Sequence, residues 1–491
     1  MKLGTMLGKS PKSGWMALAG VLLFSSACMV GPNYKRPTAP VPQTFKEPLP
    51  EGWKQAQPND GAIRGKWWEI YNDPALNALE EQVNLSNQNV LAAEAQYRAA
   101  RYAVGIARAA LYPTVSVGPS ITASRTGSQG SSQLATTSVV GIYDLAATAS
   151  WAPDIWGAVR RSVRASQATA QADFALLENA RLSYQAELAQ DYFNLHGTDG
   201  DEDLLTTTVK SYEEYLTLTQ NRYKGGVASG ADVAQAQTQL DTTRAQLIDL
   251  GVARAQYEHA IAILIGKPPA NLTIPAAVLK TPPPPVPVAV PSTLLERRPD
   301  VAASERQMAS VQEQIGIAVA AYYPTLTLSA SAGFENTDFA KWFTWPSRFF
   351  SIGPQLSETV FEGGKRRAQV HQAEALFDNT VATYRQTVLT AFQQVEDNLA
   401  ALKILADEAA ATEQAVKAAK DSLDISTYQY KAGTVVYLQV ITAQAALLQE
   451  QVAAVNILAR RMVSSVALVE ALGGGWDAGT VPTPNELTHG L

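Results

Sequence analysis

The chain has 491 residues, 46% of them hydrophobic and 17% charged, which is enough apolar content for an extensive core and too little charge for a disordered protein. Its formal charge of −6 offers nothing to a nucleic acid, and a single cysteine excludes an internal disulfide. Beyond the N-terminus there is no run of eighteen apolar residues, so any membrane crossing has to be made by strands.

In chain order, Lys2, Lys9 and Lys12 precede the apolar run Trp15 to Phe24 and the small residues Ser25-Ser26-Ala27, a secretory signal over 1–27. Cys28 follows at the cleavage boundary, where a lone cysteine serves as an acceptor for thioether lipid; Ser25 stands where leucine is usual in such signals. Removing the signal takes away three lysines and no acids, so the charge moves from −6 to −9. Residues 28–66 lack periodicity and are rich in proline and glutamine, as expected of an extended lead-in from an anchor. Trp67-Trp68 open the ordered chain and are expected to pack against a helix.

Val90, Tyr97, Val104 and Leu111 recur every seven residues with Ala93, Ala100 and Ala107 between them, a helix seam with close-approach positions. Tyr112-Pro113 ends the helix, since proline lacks an N–H and disfavours helical geometry in the residue before it. The period then changes to two, Val115, Val117 and Ile121 alternating with Thr114, Ser116, Ser120 and Thr122, and a return strand reaches Trp151. This hairpin, about 114–151 with a polar Gly127–Ser132 stretch at its end, has strands of about ten residues, the length of a tilted membrane strand. A helix is expected from Trp156 to His196, a helix-to-helix turn at Gly197–Gly200, and a second helix through Leu205, Tyr212 and Tyr223. Gly225-Gly226 stops it, and Ser229 with Asp232 caps a further helix to Ile265-Gly266.

A proline-rich linker, 268–293, leads into a second copy of the pattern. Val301, Met308, Ile315 and Tyr322 repeat the helix seam, Tyr323-Pro324 repeats the break, and Leu326, Leu328, Ala330 and Phe334 repeat the strand. Its return strand runs about Phe349–Leu356, and Trp342, Phe343 and Trp345 between the strands suit a membrane interface. Tyr430-Lys431-Ala432-Gly433 answers Tyr223-Lys224-Gly225-Gly226, and Ala471-Leu472-Gly473 answers Leu264-Ile265-Gly266. The chain is therefore two repeats, 67–267 and 294–476, with a tail at 477–491. Four strands cannot close a barrel, and open edges are not tolerated in lipid, so two, three or more copies must share one. The helix–strand junctions, Pro113 and Tyr323-Pro324, are read as structural joins without a binding site.

No catalytic or metal-binding constellation is present: the four histidines are scattered and no phosphate loop or ligand cluster occurs, so neither enzyme activity nor a cofactor is expected beyond lipid on Cys28. Arg297-Arg298 before Pro299-Asp300 is read as a structural helix start in preference to a phosphate site.

Leu294-Leu295-Glu296-Arg297-Arg298-Pro299-Asp300-Val301, the paired Tyr-x-x-Gly turns, Tyr437-Leu438 with Ala443-Gln444, Leu472-Gly473-Gly474-Gly475-Trp476, and Val30-Gly31-Pro32-Asn33-Tyr34 after the cysteine resemble the outer-membrane factor family. These are TolC-like ducts, and the match is to the lipoprotein subfamily that serves resistance-nodulation-division pumps. The resemblance implies a mainly α chain with a β membrane part, forming a homotrimer with a twelve-stranded barrel and a helical periplasmic tunnel. It implies a periplasmic adaptor and an inner-membrane pump as partners, outer-membrane lipid as surroundings, and small-molecule efflux as function. Type I protein secretion and a structural coiled-coil surface lipoprotein are the alternatives. In the family, helix turns narrow the tunnel's periplasmic end, often with acids. The corresponding candidates here are Asp199, Asp201, Glu202 and Asp203 at the first turn and Asp407, Glu408 and Glu413 at the second.

Overall fold

A computed structural model describes residues 29–47, 65–125, 139–286 and 297–488. The signal, Cys28, the first hairpin's polar end and the later part of the linker lie outside the described residues.

The elements follow the period changes of the sequence. Helices α1 (Pro74–Ser86) and α2 (Gln88–Ala109) are separated at Asn87, whose side chain accepts from Asn89 and Val90 N–H and so caps α2. Strands β1 (Thr114–Ser124) and β2 (Val140–Trp151) follow, then the long helix α3 (Ala158–Lys224) and α4 (Gly230–Leu264). The second repeat gives α5 (Pro299–Ala320), β3 (Thr325–Asn336), β4 (Arg348–Ser357), the long α6 (Lys365–Ala432) and α7 (Tyr437–Ala471). At 67 and 68 residues, α3 and α6 are each about 100 Å long at about 1.5 Å per residue.

The four strands form one antiparallel sheet in chain order, and β1 and β4 are its edges. Beyond the sheet, α3 packs on α2, α4, α5 and α7, while α6 packs on α5 and α7. One apolar core spans both repeats. It joins Leu76, Val83 and Val90 to Leu188 and Leu195, to Val301 and Met308, and to Val388, Val395 and Val466. Trp67 and Trp68 sit in it edge to face at 5.8 Å, as expected of packing residues. Among the described residues α7 is the one helix long and apolar enough to cross a membrane, with mean hydropathy 1.6 over its richest stretch. Part of that stretch is buried, α7 lying against α6 and α3 as the counterpart of α4.

The turn expected at Gly197–Gly200 is absent: α3 runs through it without a break. Both glycines face α7 instead. A Cβ on Gly197 would come within 2.8 Å of Ala459 Cβ, and one on Gly200 within 3.0 Å of Val455. These glycines allow two helices to approach, a use that local sequence does not distinguish from a chain reversal. The stretch with Asp407, Glu408 and Glu413, expected at the second turn, is likewise interior to α6.

Candidate functional site

Strand register sorts the sheet into two faces, because residues directly paired in a ladder share a face. Ser116, Thr148, Ser331 and Ser351 lie in one row across the sheet, flanked by a row in which Ser150 and Ser329 pair. The opposite face aligns Val117, Ala147, Ala332 and Phe350, and beside them Val115, Ala149, Ala330 and Ile352. On that face Val115, Val117, Ile121, Phe350, Ile352 and Leu356 are 68–83% exposed, an apolar surface that water does not tolerate at this extent and lipid does. The polar row then faces a lumen. The coiled-coil surface lipoprotein, which has no membrane strands, is overturned by this sheet.

The segment from β2 to α3 ties both helix–strand junctions together. Trp151 Nε1 donates to Leu111 O at 3.0 Å, closing the first junction beside Pro113. Trp156 Nε1 donates to Pro324 O at 2.8 Å, and its ring stacks on Tyr323 at 4.7 Å. One six-residue connection thus braces the break points of both repeats. At the far end of the second hairpin, Trp342 donates to Phe334 O at 3.1 Å and stacks on Phe343 at 4.7 Å, while Tyr143 approaches it at 5.8 Å. Of the interfacial aromatics anticipated from sequence, Trp342 and Phe343 are in contact there, whereas Trp345 is exposed.

The opposite pole of the molecule is formed by the two helix hairpins. The α3–α4 turn carries a reciprocal cap: Asp232 N–H donates to Ser229 Oγ, and Ser229 N–H to the Asp232 carboxylate. The α6–α7 turn, after Gly433, is bound to the first. Arg222 of α3 stacks over Tyr430 at 4.7 Å and donates to Lys431 O at 3.1 Å, and Tyr430 meets Tyr437 at 5.2 Å. Tyr212, Leu216, Leu240 and Val440 complete a small core at the tips. Sequence reasoning found the two Tyr-x-x-Gly turns but not Arg222, whose role shows only once the hairpins are side by side. Asp421 and Asp424 are exposed on α6 within three turns of its end.

The acidic gate candidates lie elsewhere. Asp199 sits 25 residues, about 38 Å, before the end of α3, and Asp407 as far before the end of α6. None of the seven reaches a tip. Asp199 is buried and structural: it accepts from Arg254 Nε and from Ala277 N–H of the linker, and pairs with His196 Nδ1 at 2.8 Å. Arg254 also donates to Ile274 O, so this network fastens the linker to α3 and α4. Burial holds the Asp201 carboxyl up at about 6, opposed by a hydrogen bond from Asn456. Glu202 and Asp203 are exposed at mid-helix, Glu408 meets Arg460 at 3.6 Å, and Asp407 and Glu413 are exposed. Arg298 is a structural helix start as expected, forking onto Asp300 and donating to Gln394 and to Ala471 O at 2.9 Å.

Comparison with known proteins places this geometry. The "outer membrane efflux protein" family matches residues 79–267 and 290–474, the two repeats. The probable efflux pump outer membrane protein TtgC of Pseudomonas putida is 29% identical over 471 residues, 94% of this chain and 95% of that protein. The pyoverdine export outer membrane protein OpmQ of Pseudomonas aeruginosa is 29% identical over 475 residues, 94% and 98% of the two chains. Among solved structures, the outer-membrane channel OprN aligns with a TM-score of 0.82 at 28% identity, covering 91% of this chain and all of that one. The Campylobacter jejuni CmeC outer membrane channel, at 24% identity, shares the fold with a TM-score of 0.84 over 94% and 97% of the two chains. Two matched repeats, a two-faced membrane sheet and long helix hairpins continuous with it place this chain in the outer membrane efflux protein family.

Proposed function

We propose that three copies of this chain form a passive exit duct through the outer membrane, a twelve-stranded barrel continued by a tunnel of helices. In this reading the duct receives small molecules from a periplasmic adaptor and an inner-membrane pump. The observation that carries it is the four-stranded sheet with one polar face, one apolar face and two unpaired edges, β1 and β4, which lipid forces into pairing with other copies. The names of relatives support the small-molecule class, since they specify pyoverdine export and toluene efflux for those proteins. Cys28 is taken as the lipid-bearing residue, so the chain is anchored as well as inserted, a supplementary attachment of modest strength. The periplasmic aperture is assigned to the hairpin tips, where Asp232 belongs to the α3–α4 cap and Asp421 and Asp424 are the acids of α6 nearest its end.

Purified protein in planar bilayers tests the duct. It is expected to give ion-conducting channels and an oligomer whose migration changes on heating; no conductance at any voltage would overturn the reading. Intact mass of the mature N-terminus tests lipidation, which fails if Cys28 carries no acyl mass. Identification of the co-purifying adaptor separates small-molecule efflux from type I protein secretion.

A further inference from the structure

The mature N-terminus does not merely trail from the fold. Just below the barrel, at the start of α3, Arg161 is fully buried, and its guanidinium is turned toward main chain. Nε donates to Val30 O at 2.6 Å, Nη2 to Gly31 O at 2.9 Å, and Nη1 to Pro32 O at 3.1 Å. Nη1 also donates to Glu313 of α5 at 2.8 Å, which neutralises the buried charge. One planar fork thus holds three successive carbonyls of one segment, a geometry that a lysine ammonium cannot reproduce. Val30 N–H completes the contact by donating to Trp156 O at 3.2 Å, the same tryptophan that braces Pro324.

The walls of the notch are shaped for this segment. Gly316 of α5 has no side chain where the Arg161 guanidinium lies, so a Cβ there would overlap it. Gly157, at φ +82°, leaves room for Met29, whose Cγ would be 2.5 Å from an added Cβ. Beyond the notch the segment continues along α5 and α6, with Tyr34 donating to Glu305 at 2.5 Å, Arg36 to Tyr384 at 3.1 Å, and Lys46 and Glu47 N–H to Glu396 at 2.7 and 2.9 Å. Two repeats contribute to the notch, Arg161 and Gly157 from one and Glu313 and Gly316 from the other. It closes only when both are folded.

We propose that this notch is a binding site for the processed N-terminus: Arg161 recognises Val30–Pro32 through their carbonyls and holds Met29 against Gly157 at the height of the helix–barrel junction. Its consequence for the membrane rests on the lipid-anchor reading above. A lipid carried ahead of Met29 would be tethered through a segment that the notch holds at the barrel's base. The anchor then enters the bilayer at the depth the barrel sets and cannot drift the length of the lead-in. The site itself needs no lipid, and recognition through main chain leaves the side chain at position 30 free to vary.

Amide hydrogen exchange on the full-length protein tests the proposal, read in a peptide spanning 29–36 against peptides from β2 and from the hairpin tips. Arg161→Lys keeps a positive charge opposite Glu313 but loses the fork, and is expected to raise exchange in 29–36 at least tenfold with the other peptides unchanged. Gly31→Ala, placed in the bound segment where it leaves helix packing alone, is expected to do the same, because its Cβ would come within 2.8 Å of Gly316 Cα. Val30→Ala is expected to leave protection intact. Unchanged exchange in both Arg161→Lys and Gly31→Ala would overturn the proposal. The same measurement on Cys28→Ser, exported by an ordinary leader, separates the two readings. Retained protection shows the notch acting without lipid, whereas lost protection shows that the lipid holds the segment and overturns the proposal. Absence of acyl mass on Cys28 would sink the anchor reading alone.

Discussion

Arg161 and Glu313 form the buried ion pair on which the junction rests, and such pairs are asymmetric in their energetics. Removing one partner strands the other charge without solvent, so Arg161→Ala is expected to cost about 3–5 kcal/mol, read as a lowered melting temperature of the helical signal. Asp201 makes a separate prediction with a definite sign. Burial raises its folded carboxyl to about 6, whereas the unfolded carboxyl titrates near the ordinary aspartate value, about 4. Between those pH values the unfolded chain has released a proton that the folded chain retains, so stability falls as pH rises and the loss is complete above about pH 6. Asp201→Asn removes this contribution. On going from pH 4 to pH 6.5, the melting temperature of the parent is expected to change more unfavourably than that of the variant, and parallel curves would contradict the assignment. Asp191, also raised to about 6 by burial and by Glu187, adds a slope of the same sign.

At the scale of elements, the α3–α4 turn depends on the Ser229–Asp232 cap, and Ser229→Ala is expected to cost about 1 kcal/mol. Gly197 is different in kind. Gly197→Leu would place a side chain where Ala459 already stands and is expected to destabilise by about 1–3 kcal/mol through overpacking, measured by chemical denaturation. The contrast shows what could be read in advance. Tyr112-Pro113 and Tyr323-Pro324 announced the change from helix to strand because a shift of hydrophobic period and a proline are both local signals. Ser229 with Asp232 announced a cap for the same reason. Gly197 and Gly200 misled because glycine serves both chain reversal and close helix approach, and only the partner helix, more than 250 residues away in sequence, distinguishes them. With the turn went the placement of Asp199, Asp201, Glu202 and Asp203 at a helix end, and Asp407, Glu408 and Glu413 likewise fall inside α6. Arg161 carried no local signal at all: its partners lie 129–152 residues away, and an arginine in the first turn of a helix looks like any solvated one.

At the scale of the whole molecule, the two faces of the sheet make opposite demands. Val117→Arg, on the apolar face, is expected to cost about 2–4 kcal/mol if it falls near the bilayer midplane and to lower the amount of protein in the outer membrane. Ser116→Arg, one residue away on the polar face, is expected to insert normally and to shift channel selectivity away from cations. Equal outcomes for the two would refute the facing. At the other pole, neutralising Asp421 and Asp424 together is expected to reduce cation preference in bilayer recordings, while neutralising Asp407, Glu408 and Glu413 is expected to change it less. The order β1-β2-β3-β4 has a last implication. In the proposed trimer, twelve strands in this order are six hairpins of two alternating kinds, so the barrel approximates sixfold symmetry although the assembly has only threefold. The helix tips break that approximation most plainly, because one turn is closed by a Ser–Asp cap and the other by a tyrosine pair under Arg222. Any change in the aperture that alters only one kind of hairpin would turn a round opening into a three-lobed one, with the Arg222 contact as the seam along which alternate hairpins separate.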